Sequence, residues 1–322
     1  MCTVFTDKNN KSNILAKNYD CFIDGGMIFT NKKNMKKKSL VMPPEKEFQW
    51  TSKYASVTFS QSGKGMPLCG MNEKGLIVEQ ATYPATVYSY VESKESISCL
   101  EATQYILDMC SDVEQAILSF SDFNISNQSG KIHFFLMDKG GKRAIVEFVK
   151  GEMILVDGND FLPVLTNSNY QALCDGAKQS TSEYEDNSFM RFQIVRDELE
   201  KETSLTVDAA FAILKKAKRQ DTAWCMVYDL NVDKIFFQSK NQNVKTIDLK
   251  DVFSNENMDS CLYDIESEGE FAWQPYTREM NRKNVEKFYG NPVMLQVLNL
   301  PDAKFVIDSF DDHIQRIEEG II

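Results

Sequence analysis

Residues 1–20 read MCTVFTDKNNKSNILAKNYD. TVFTD and NILAKNYD are β-like runs, and the polar Lys8 to Ser12 segment between them marks a hairpin. That hairpin would carry Asp20, at the end of its second strand, to a place beside Cys2. Once Met1 is removed, Cys2 presents a thiol and a free α-amine on one residue, and removal normally proceeds when the next residue is small. An α-amine titrates near pH ~8, so close to neutrality a useful fraction can take the thiol proton. Nucleophile and base would then share one residue. Taken alone, Cys2 reads first as an accident of where translation starts, and Asp20 equally as a strand-end turn aspartate.

Further strand-like runs follow in GGMIFTN, YASVTFS and LIVEQATY. Two helices come next, Ser98-x-x-Glu101 and Ser111-x-x-Glu114 each fitting a capping box ahead of an apolar stripe. KIHFFLMD and RAIVEFV flank Gly140-Gly141 as a hairpin, with EMILVD after Lys150-Gly151. An acidic loop is expected over 179–187, then a helix starting at Ser188 and another capped by Thr206. AWCMVYDL and KIFFQSK form a hairpin around Asn231 to Asp233, and Thr277 to Phe288 and Asp311 to Glu319 have helical character. Strands in runs, then paired helices, then strands again predict an α+β chain with two antiparallel sheets between helical layers. One domain is expected over 1–322, with 251–322 a C-terminal extension whose packing the sequence does not define.

The formal net charge of −11 disfavours nucleic acid and anionic membranes as partners. The exception is the run from Lys32 to Lys38, which reads first as a solvated turn and second as an anion attractor. No apolar stretch approaches the ~18–20 residues of a membrane span, and no secretory signal is recognisable, so a cytoplasmic location is expected. Eight cysteines without a CxxC pair, and only His133 and His313, do not make a zinc site. His133 alternates with apolar neighbours and reads as a core residue. Walker, GxGxxG, HExxH and GxSxG patterns are missing, so no metal or cofactor is expected.

Five segments read together in order: Met-Cys-Thr from Met1, Ala-Lys-Asn-Tyr-Asp ending at Asp20, Gly-Met-Asn-Glu-Lys-Gly-Leu from Gly70, Leu-Thr-Asn ending at Asn167, and Arg191-Phe192. On these the chain, over residues 2 to 250, resembles the choloylglycine hydrolase and penicillin V acylase family, N-terminal-nucleophile cysteine hydrolases of linear amides. The resemblance implies a four-layer αββα sandwich and attack by Cys2 through a thioester. It implies that Asp20 holds the α-amine, that the Asn167 amide donates to the oxyanion, and that Arg191 favours thiolate. Lys17 stands where bile salt hydrolases carry arginine, keeping the charge and losing the planar fork. Thr82 stands where they place an asparagine, which leaves a backbone N–H, Glu79 or Gln80 to take up that strand's polar work.

Asn72 reads best as a turn residue with Gly75. Candidate contacts for the acyl side are Phe22, Met27, Phe59 and Tyr83. The expected partner is a small-molecule N-acyl amide. The same thioester passed to an amine would make the chain an acyltransferase, and a retained Met1 would make it a binding protein without catalysis. The segment between Asn167 and Arg191 is shorter than in bile salt hydrolases, where it helps to build a tetramer, so the quaternary state, a homo-oligomer included, stays open.

Overall fold

The computed structural model describes residues 1–9, 11–158, 161–178, 180–240, 242–254, 259–298 and 302–321. The opening hairpin forms: Cys2–Thr6 pairs antiparallel with Ile14–Asp20, Cys2 opposite Tyr19 and Val4 opposite Lys17. Its turn is organised by the Asp7 carboxylate, which accepts the N–H groups of Asn9, Lys11 and Ser12 and so replaces missing backbone bonds. Asn10 falls outside the described residues.

This hairpin sits inside a six-stranded sheet ordered Val164–Leu165, Cys2–Thr6, Ile14–Asp20, Thr222–Asp229, Lys234–Ser239, Lys245–Asp248. A nine-stranded sheet lies over it. It runs from the edge strand Glu152–Val156 through Arg143–Val149, Ile132–Met137, Ile77–Thr82, Cys69–Asn72, Ser56–Ser60, Met27–Asn31 and Cys261–Asp264 to Gln274–Pro275. Pairing within both is antiparallel.

The period-two alternation of a strand explains the layering. Along Ile14–Asp20, Leu15 and Tyr19 enter the core between the sheets, with Phe59, Phe135 and Trp224. Ile14 and Ala16 point the other way, into a core with Phe192, Val195, Ile213 and Leu214 from helices Glu183–Leu199 and Val207–Lys216. Helices Cys99–Met109 and Val113–Ser119 cover the far face of the larger sheet through Ile106, Leu107 and Ala116. The result is the expected α+β, four-layer αββα sandwich.

Several element starts differ from the sequence reading. The Ser98–Glu101 capping box and the Thr206 cap form. The next helix is capped by Asp112, not Ser111, because the Asp112 carboxylate takes the Gln115 N–H while Ser111 merely donates to it. The helix carrying Arg191 starts at Glu183 rather than Ser188: Ser182 caps it, and Glu183, Glu185 and Asp186 in its first turn suit the positive end of the helix dipole. Part of the expected acidic loop is therefore helix.

In the C-terminal segment, the helix expected over Thr277 to Phe288 forms as Arg278–Tyr289, and Thr277 is its cap. The last helix spans Ala303–Glu318 from an Asp302 cap, well before Asp311. Asn72 organises its turn as expected, its Oδ1 accepting the N–H groups of Lys74 and Leu76 while Gly75 takes φ +82°. Among the described residues, no helix is long and apolar enough to cross a membrane.

Candidate active site

Cys2 is 2% exposed, at the start of a strand with neighbours on both sides. Met1 completes the hairpin end: its ammonium donates to Asp20 O (2.6 Å), and Asp20 N–H donates to Met1 O (2.8 Å). The Cys2 N–H donates to Asn167 Oδ1 at 2.9 Å, and Arg191 Nη2 donates to the same oxygen at 2.8 Å. Both groups only donate, so the amide must turn its oxygen towards them. Asn167 Nδ2 then donates to Thr82 O (2.8 Å), leaving one amide hydrogen uncommitted. Arg191, 1% exposed, also donates through Nη1 to Cys2 O and to Thr3 Oγ1 (2.7 Å), and Asn187 Oδ1 accepts from its Nε (2.8 Å).

Asp20 lies alongside. Its Oδ1 accepts from the Thr222 hydroxyl (2.6 Å), and its Oδ2 is buried without a hydrogen bond, 3.8 Å from Arg191 Nη1. Burial pushes the Asp20 carboxyl above the usual range against the opposing pull of Arg191, Thr222 and the N-terminal ammonium. Burial in turn draws the Arg191 guanidinium down, opposed by Asp20 and Cys2. Cys2, Asp20, Asn167 and Arg191 therefore converge from two strands, the bend after Val164–Leu165 and a helix.

Lys17 and Glu79 meet each other between the two sheets. Lys17 Nζ is ion-paired with Glu79 Oε2, both side chains being 0% exposed, and Tyr228 OH donates to Glu79 Oε1 (2.8 Å). Burial pulls the Lys17 ammonium down, but its partner Glu79, by charge and by hydrogen bond, helps to raise it above the usual range. Glu79 is pushed up by burial, against Lys17 and the Tyr228 hydroxyl. The cation expected to act on the thiol is thus held in an ion pair with Glu79. Thr82 reaches the site through its carbonyl, which accepts from Asn167 and from Tyr184 OH (3.3 Å), while its residue is otherwise exposed. Gln80 is buried, and its Oε1 accepts no hydrogen bond.

The four apolar candidates separate. Phe22, immediately after Cys21, is 50% exposed. Met27 packs with Phe29 and Leu262, and Phe59 is fully buried against Phe237, in the same core cluster as Cys2. Tyr83 stacks on His133 at 5.4 Å. His133 is the expected core residue: its Nε2 faces Thr166 O (2.7 Å) and its Nδ1 faces Glu147 Oε1 (2.9 Å). A carbonyl only accepts, so Nε2 carries a proton and ties down the residue before Asn167. In the Lys32–Lys38 run, neither early reading covers Lys37, which is buried and paired with Asp108 at 2.8 Å.

Three residues here were not legible as site residues. Ser188, expected to start a helix, is buried mid-helix and accepts the Asn167 N–H (2.9 Å). Thr222 and Tyr184 carry no local signal, because each acquires its role only from a partner distant in sequence. Among the described residues, no group of three or more His, Cys, Asp or Glu could hold a metal.

Residues 6–244 match the profile of acyl-coenzyme A:6-aminopenicillanic acid acyl-transferase. The chain belongs to this family. A penicillin V acylase of Pectobacterium atrosepticum is 28% identical over 138 residues, 37% of this chain. The match spans only 36% of that relative's length. Among solved structures, penicillin V acylase from Agrobacterium tumefaciens superposes with TM-score 0.68 at 21% identity, covering 86% of this chain and 98% of that one. The conjugated bile acid hydrolase of Clostridium perfringens, as its C2A mutant, gives TM-score 0.66 at 19% identity, over 86% and 100%. These superpositions establish a shared sandwich, and the resemblance read from the five sequence segments holds.

Proposed function

We propose that this chain hydrolyses the linear amide C–N bond of a small N-acyl substrate, with Cys2 as nucleophile once Met1 has been removed. The observation that carries the reading is the Cys2 nitrogen held 2.9 Å from Asn167 Oδ1, at the hairpin end where the Asp20 backbone is bonded to Met1. That nitrogen becomes the α-amine, held by Asn167 Oδ1 and, in this reading, by the Asp20 carboxylate at the same hairpin end, with its lone pair free for the thiol proton. The amine takes the proton from Sγ, and the thiolate attacks the carbonyl carbon. Negative charge collects on the former carbonyl oxygen, where the remaining Asn167 amide hydrogen can donate. The ammonium passes its proton to the departing nitrogen as the C–N bond breaks, leaving a thioester. Water then attacks, its proton going to the amine, and the acid leaves with the thiol restored.

A relative named penicillin V acylase is consistent with amide substrates. The family description, an acyl-transferase, favours a second reading, in which an amine replaces water at the thioester. Intact mass first establishes whether Met1 is gone. Cys2→Ala should then abolish turnover of N-acyl amides with an unchanged circular dichroism spectrum, and full activity in that variant would end the scheme. The ratio of acid to transferred amide with added amine separates the two readings.

A further inference from the structure

Two loops adjoin the Cys2 end of the hairpin: residues 21–26, continuing from Asp20, and residues 61–68, between strands Ser56–Ser60 and Cys69–Asn72. Gln61 joins them. Its Nε2 donates to Ile23 O (2.7 Å) and Gly25 O (2.8 Å), and its Oε1 accepts from Tyr19 OH (2.9 Å). Tyr19 is the residue directly opposite Cys2. The first loop contains two adjacent glycines and would be mobile if left alone.

The C-terminal segment holds both loops, beside an Asp24–Lys240 ion pair on the first. Asn284 Nδ2 donates to Gln61 O (3.1 Å), and Asn281 Oδ1 accepts the Lys64 N–H (2.9 Å). Lys64 Nζ pairs with Glu318 at 2.9 Å. Ile23 is buried among Val285, Phe288, Tyr289 and Val306. The loops are cut to fit this segment. A Cβ on Gly63 (φ +98°) would lie 2.6 Å from Val285 Cγ2, and one on Gly25 (φ +84°) would lie 2.7 Å from Lys287 Nζ. Between Cys21 and the anchored Ile23 stands Phe22, half exposed. The helix residues of this clamp, from Asn281 to Glu318, lie beyond residue 244, where the family match ends.

We propose that the C-terminal helices select the acyl group: by clamping the 21–26 and 61–68 loops they fix Phe22 and the width of the approach to Cys2. This rests on the amidohydrolase reading for the identity of the ligand, though not for the size of the opening. Asn284 and Val285 act through the loops and are positioning residues. Loosening the clamp admits bulkier groups while leaving the chemistry at Cys2 untouched.

The test compares Asn284→Ala and Val285→Ala with the processed wild type, in two arms. In the first, kcat/KM is measured for N-acyl amides with one amine and acyl groups of increasing bulk, then with one acyl group and varied amines. Acyl discrimination should fall by about 5-fold or more, within the range a pocket exercises on small apolar differences, with amine preference unchanged. In the second, alkylation of Cys2 by haloacetamides of increasing size is followed by peptide mass spectrometry. The bulky reagents should gain on the small one in both variants. Unchanged size dependence in folded variants, with only a lower unfolding temperature, would overturn the proposal. If no N-acyl amide is turned over yet the alkylation pattern relaxes, the hydrolase reading falls and the clamp stands.

Discussion

Replacing Lys17 by Met would place an uncompensated carboxylate between the two sheets. Both side chains of the Lys17–Glu79 pair are 0% exposed, and Glu79 would keep only the Tyr228 hydroxyl, at 2.8 Å. Breaking a buried pair by removing one partner costs on the order of 3–5 kcal/mol, whereas removing both charges together is often close to neutral. Lys17→Met and Glu79→Gln should therefore each destabilise by about that amount, and the double variant by far less than their sum, giving a coupling of roughly 3 kcal/mol or more. Urea unfolding of the four proteins reads this directly.

The pair also bears on Cys2. A lone Glu79 carboxylate disfavours thiolate, since a like charge opposes ionisation. Lys17→Met should thus slow Cys2 alkylation near neutral pH, and adding Glu79→Gln should restore it. Additive destabilisation, with coupling below about 0.5 kcal/mol, would refute the pairing argument. A double variant as slow in alkylation as Lys17→Met would show that the ammonium itself is required.

Thr222→Val removes the 2.6 Å donor to Asp20 Oδ1, one of the influences holding that carboxyl down against burial. A hydrogen bond to a charged group contributes about 1.5–3 kcal/mol, so the acid limb of the pH–kcat/KM profile should move up by about 1–2 pH units. A limb that stays or moves down would contradict Asp20 acting as a carboxylate. His313, in the last helix, has its pKa lowered from 6.5 to about 4, chiefly by burial and then by Lys38. A depressed value means the folded state favours neutral imidazole. Its stability contribution is therefore fully present above pH 6.5 and is lost as pH falls through about 4. The loss should reach roughly 3 kcal/mol, measured as unfolding free energy against pH, and His313→Gln should flatten that dependence.

The opening hairpin was legible because its information is local. A polar break between two β-like runs places Cys2 opposite Tyr19 through nearest-neighbour pairing, and no distant residue is needed to establish it. The alternation within Ile14–Asp20 likewise anticipates two cores on opposite faces. Helix starts were less legible where several caps competed: Ser182 and Ser188 both qualify by type, and only packing shows that Ser188 is buried against Asn167.

Residue identity established that a thiol, an amide, a carboxylate and a guanidinium were available, and the five family segments implied that they meet. How they meet was decided by tertiary structure. The Cys2–Asn167 and Cys2–Arg191 contacts span sequence separations of 165 and 189 residues, and their register depends on both sheets and the Glu183–Leu199 helix closing at once. The same closure opposes Lys17 to Glu79 across the sandwich and sets the C-terminal helices against the loops beside Cys2. Periodicity tells which face a side chain takes. It carries no information on what the other layer sets against it, because that depends on the packing of chain segments far apart in sequence.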